Sequence, residues 1–112
     1  MELDAYTVVF LRRPPDAPIL SEAELEALQR EHMAFNARMR EAGHAVINGP
    51  LDGQPDEALR GIGVYRTSLE ETRRLLEGDP SVRAGRLRVE VFTWYMPAGT
   101  LGEHPAAQIT VP

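Results

Sequence analysis

The chain has 112 residues, 43% of them hydrophobic, and a formal net charge of -5, enough for one domain with about one layer of helices on one sheet. Its 12 basic residues are all arginine, scattered singly or in pairs, which excludes a Schiff-base lysine, a phosphate-loop lysine and a basic footprint for nucleic acid. Without cysteine there is no thiolate catalysis, no disulfide and no thiolate metal site.

The opening MELDAYTVVFLRR carries acids before a short apolar run, unlike a signal peptide. No stretch reaches the roughly 18 apolar residues of a membrane span, so the expectation is a soluble cytoplasmic protein with no membrane partner. Residues 5 to 12 are β-branched and aromatic on both alternating faces and stop at Arg13-Pro14-Pro15, which predicts a central strand buried on two sides. After a Pro-rich loop, Ser21 and Glu24 match a capping box. A helix of about six turns then runs to Gly43, whose lack of a side chain suits a C-terminal cap. Its inward stripe is predicted to be Leu25, Leu28, His32, Phe35, Met39 and Ala42, spaced by three and four.

Ala45 to Asn48 reads as a short strand, the turn-rich GPLDGQPDE follows, and a second strand runs from about Ala58 to Arg66. Ser68 and Glu71 repeat the capping box, starting a helix with Leu69, Thr72, Leu75 and Leu76 inward and Gly78 at its end. The segment RLRVEVFTWYM alternates as a final strand, with Leu87, Val89 and Val91 on one face and Arg88, Glu90, Phe92, Trp94 and Met96 on the other. The order βαββαβ predicts an α+β, ferredoxin-like fold: a four-stranded antiparallel sheet with two helices on one face. The other face, too apolar to stay wet, predicts a homodimer built as a dimeric α+β barrel. Residues 1–96 are the expected domain. Residues 97–112, with Pro97, Pro105 and Pro112, read as a Pro-rich tail or arm across a neighbour, dispensable for the fold.

One residue of the long helix stands out. An imidazole among Leu and Phe needs a hydrogen-bond partner or a cavity, since an unpaired buried polar group costs about 1 to 3 kcal/mol. Asp79, in EGDPSVRAG, is the partner favoured for His32, although Asp79-Pro80 also has the form of a helix N-cap followed by Pro at the first helical position. His44, after Gly43, suits a helix C-terminus, and His104 lies in the tail. Asn36, one turn from His32, reads as a polar cavity wall or a solvated residue, and Gly49-Pro50 as a strand-ending turn that could border the cavity. Arg88 and Glu90 read as an ion pair across the sheet of a dimer, and of Trp94 and Tyr95 one is expected at a partner subunit and the other facing the core. No metal-ligand spacing exists, so no metal and no cofactor are expected.

The stretches REHMAFNARMREAGHAVINGPL and EGDPSVRAGRLRVEV, in this order and spacing, resemble the YCII-related (YciI-like) family over roughly residues 5 to 96. The resemblance implies a dimeric α+β barrel with an acid–base pair of helix His and Asp before Pro, here His32 and Asp79. It also implies proton transfer or elimination on a small cyclic or phenolic molecule, an activity of lyase or isomerase type. The longer loop after the first strand and the Pro-rich tail depart from the family pattern. A non-catalytic homodimer that binds a metabolite or protein in the same cleft is the alternative, and a cofactor-free monooxygenase follows only from fold analogy.

Overall fold

The computed structural model describes all 112 residues. Strand β1 spans Glu2–Arg12, helix α1 Glu22–Glu41, β2 Ala45–Pro50, β3 Leu59–Tyr65, α2 Leu69–Leu76, the single turn α3 Pro80–Arg83, β4 Arg88–Pro97 and β5 Ala107–Thr110. The antiparallel sheet has the order β2-β3-β1-β4, with β5 paired to β1 as well. The ferredoxin-like α+β order is therefore as the pattern predicts, with a fifth strand added to the expected four.

Strand β1 is central because it is apolar on both sides. Val9 and Leu11 face the helices and join Phe35, Ala45, Tyr65, Leu76, Leu87 and Val91 in the main core. Ser21 caps α1 with the reciprocal Ser21–Glu24 bonds in place, whereas Ser68 caps α2 only by accepting from the Glu71 N–H at 3.2 Å. Gly43 ends α1 in the left-handed region, φ +79°, where a side chain would be strained.

The buried seam of α1 is narrower than the predicted stripe. It consists of His32, Phe35 and Asn36, while Leu25 and Ala42 are exposed. The cause is overhang: the first turns of α1 border a groove instead of lying on the sheet.

Residues 97–112 also depart from expectation. Glu2 to Ala5 pair with Ala107 to Thr110, so the segment returns to its own first strand. Beyond the ladder, the Asp4 carboxylate, 1% exposed, accepts from the Gly99 N–H at 2.8 Å and the Gln108 amide at 2.7 Å. Beside it Tyr6, Val64 and Met96 form a second small core against Val46 and Leu101. Met96 is thereby buried, whereas Phe92 and Trp94 on the same sheet face stay 51% and 47% exposed. Tyr95 is exposed as well. Within the chain Glu90 bonds Arg12, its near neighbour across β1 and β4, and Arg12 also reaches Asp56 at 2.8 Å.

Candidate active site

His32 sits on α1 where the helix crosses the open end of the sheet, and Asp79 sits 47 residues later, before α3. The chain turns sharply at Asp79 because its carboxylate caps α3, accepting from the Ser81 N–H at 2.9 Å, and Pro80 supplies the helix-ready first position. The same carboxylate accepts the Nδ1–H of His32, at 2.8 Å to Oδ2 and 3.0 Å to Oδ1. The two readings of Asp79 are thus both true. Its capping bond fixes the carboxylate, and the fixed carboxylate orients the ring.

Burial gives this pair weight, with Asp79 0% and His32 7% exposed. An Nδ1–H held by a carboxylate sets the Nε2 lone-pair tautomer of the neutral ring. The Asn36 amide meets Nε2 at 3.4 Å, a long contact that a ligand can displace. Asn36 is neither solvated nor a cavity wall: it is buried, and its backbone carbonyl accepts from the Asn48 amide at 3.2 Å. Arg40 in turn donates to Asn48. Behind this chain Tyr65 is fully buried, and desolvation, offset in part by Asn48, pushes its hydroxyl up to about 12.

His32 lines a cleft of about 100 Å³ together with Leu11, Arg13, Gln29, Met33, Gly49, Pro50, Arg60, Gly61 and Leu87. Gly49-Pro50 therefore ends a strand and borders the cleft at once. The floor is bare backbone: a Cβ on Gly61 would stand 3.1 Å from the Gly49 carbonyl oxygen, closer than packing allows without a shift. Arg13, Gln29 and Leu87 also line a groove of about 360 Å³ that opens beside the cleft between α1 and Arg86. That larger volume lies in the range of small-molecule sites.

Sequence reasoning brought out His32 and Asp79, which the fold brings together, and set aside His44 and His104, which it leaves apart. His104 is exposed, 3.9 Å from Glu103. Arg13, Gln29, Asn48 and Arg60 were not singled out. Gln29 had a legible signal, three residues before His32 on the same helix face, but the others become neighbours only through the sheet. No cluster of three or more His, Asp or Glu side chains is arranged to hold a metal. No helix is long and apolar enough to cross a membrane.

A family model for the YCII-related domain matches residues 6–95, which include both members of the pair. Among solved structures, the chain is similar to 5-chloro-2-hydroxyhydroquinone dehydrochlorinase from Burkholderia phenoliruptrix AC1100, in complex with 2,5-dihydroxybenzoquinone. The TM-score is 0.57 at 17% identity, covering 80% of this chain and 92% of that one. At that identity the likeness establishes the fold. A search of curated proteins found no match.

Proposed function

The chain belongs to the YCII-related domain family, and on that premise we propose that it is a small-molecule enzyme in which His32 and Asp79 act as an acid–base pair. The observation that carries this reading is the 2.8 Å bond between a fully buried carboxylate and a histidine that lines a cleft. Asp79 holds the ring and stabilises the imidazolium. Nε2 takes a proton from a small cyclic or phenolic substrate, as a general base does. In an isomerisation the proton is returned at another atom. In an elimination the electron pair left on the substrate forms the new double bond and expels the leaving group with its own pair.

The solved relative supports the substrate class, since its name is that of an enzyme acting on a chlorinated hydroquinone and its structure holds a dihydroxybenzoquinone. The exposed Phe92 and Trp94, continuous with the Phe10–Phe92 edge contact at 5.8 Å, support a homodimer that covers the outer sheet face. One observation favours the non-catalytic alternative: Asn36 gives Nε2 a partner, so the imidazole is satisfied without a substrate.

A panel of hydroxylated and halogenated phenols and quinones, followed by proton release, halide release and absorbance, tests the reading. For any compound turned over, His32→Asn should lower kcat by about 10²- to 10⁴-fold with the fold retained. Asp79→Asn should follow it while still capping α3, because Asn caps almost as well as Asp. Ligand binding without turnover across the panel, unaffected by either substitution, would establish the binding module instead.

A further inference from the structure

Two arginines adjacent in sequence have opposite fates. Arg12 faces the outer side of the sheet and is neutralised by Glu90 and Asp56. Arg13 turns to the other side, lines the His32 cleft, and has no carboxylate partner. Its Nε donates only to the Arg86 backbone carbonyl, at 3.4 Å. Arg60, on β3, lines the same cleft and donates to the Glu57 carbonyl at 2.9 Å; Arg86 donates to the Pro18 carbonyl at 3.0 Å. A guanidinium carries five N–H donors, so each of the three keeps most of its donors uncommitted.

We propose that Arg13 and Arg60 make the cleft beside His32 an oxyanion site, and that its ligand is a small aromatic or cyclic molecule bearing a carboxylate or phenolate-type oxygen at its inner end. This rests on the cleft being the ligand site of the function proposed above. The cleft's lining contains two guanidiniums, an imidazole and the Gln29 amide, and no carboxylate. Three like charges gathered at a half-buried corner repel one another, and burial together with Arg86 and Arg60 draws Arg13 below the ordinary arginine range. An anion relieves that repulsion, and the planar fork of arginine suits a two-oxygen group. The acids nearby, Glu22 and Glu26, lie on the first turns of α1 and line only the outer groove. They disfavour a second negative group there, so the charge of the ligand belongs inside, near the Nε2 of His32. An oxyanion bound by the arginines also places its neighbouring ring carbon or hydroxyl within reach of the base.

The test is calorimetric titration with benzoate and salicylate against their neutral amides, benzamide and salicylamide, at matched ionic strength. The parent protein should bind the anions at least about tenfold more tightly than the amides. Arg13→Gln and Arg60→Gln should each weaken the anions by about tenfold or more and leave the amides unchanged, and Arg74→Gln, exposed on α2, should match the parent. Should Arg13→Gln fail to fold, Arg60→Gln and the parent anion-to-amide ratio still decide. Equal affinity for anion and amide, no effect of either arginine, or no binding of any of the four at millimolar concentration would overturn the proposal. His32→Asn separates this inference from the enzymatic one: it should abolish turnover yet keep anion binding. Arginine effects with a silent His32 leave the anion site and remove the enzyme, and the reverse pattern removes the anion site alone.

Discussion

The chain buries two aspartates almost completely, Asp4 in β1 and Asp79 before α3, and their hydrogen-bond donors differ in kind. Asp4 accepts from a backbone N–H and a side-chain amide, donors that keep their protons at any ordinary pH. It is a clasp for the C-terminal segment. Asp79 accepts from one backbone N–H and from an imidazole that borders a cleft. Burial by itself marks neither as functional. Under the proposed function, the nature of the donor and the presence of a cavity are what separate a structural carboxylate from one fit for chemistry.

The comparison is sharpened most by the dimer, because the outer sheet face carries the exposed Phe92 and Trp94. If a second copy covers Phe92 and Trp94, truncating Trp94 to Ala should weaken association by about 3 to 5 kcal/mol. Analytical ultracentrifugation reads this directly. A parent chain that sediments at 12.5 kDa at micromolar concentration would remove the barrel.

The two cores, on opposite sides of the sheet, also carry one buried tyrosine each. Tyr6, in the second core, has a hydroxyl without any hydrogen-bond partner, and Tyr65, behind the site, is pushed up to about 12. A tyrosine that holds its proton more tightly when folded loses stability as pH rises, because the unfolded chain ionises first, near pH 10. The contribution of Tyr65 should therefore be flat below about pH 10 and fall by about 2 to 3 kcal/mol by pH 12. Tyr65→Phe should remove that part of the alkaline loss in denaturant titrations. An unchanged pH slope would place Tyr65 in contact with solvent.

A smaller effect distinguishes the aspartates themselves. Asn has a single acceptor oxygen, so Asp4→Asn loses one of two bonds that reach separate oxygens and should cost about 1 to 2 kcal/mol in denaturant midpoint experiments. Ligand affinity and turnover should not change. A loss of activity with Asp4→Asn would break the division between the two aspartates.

What was legible in the sequence follows from the same physics. Periodicity and caps located the helices and strands because each is a local signal: the Ser21–Glu24 box, the alternation through Leu87, Val89 and Val91, and the glycine at 43. A histidine in an apolar stripe demands a partner, but Asp79 by itself reads equally as the cap of α3, and the resemblance to the YCII-related family carried most of the weight for the His32–Asp79 pair. Strand β5 was not, because Ala107–Thr110 is short and fully exposed along its length, and its pairing with β1 depends on the Asp4 clasp more than 90 residues away in sequence. The overhang of α1 was equally hidden: Leu25 fits an amphipathic stripe, and only the length of the sheet beneath decides whether it is covered. Arg13 and Arg12 look alike in sequence. Their separation comes from the strand's alternation combined with where Glu90, Asp56 and Arg60 lie on neighbouring strands.

The central claim is that Asp79 presents His32 to the cleft as a base. Nitrogen-resolved NMR of the imidazole tests it most directly. The account requires an Nδ1–H tautomer with a strongly hydrogen-bonded, slowly exchanging Nδ1 proton, lost in Asp79→Asn and untouched in Asp4→Asn, and an Nε2 resonance that moves when salicylate enters the cleft. An Nε2–H tautomer, or an Nε2 signal indifferent to the ligand, would contradict it.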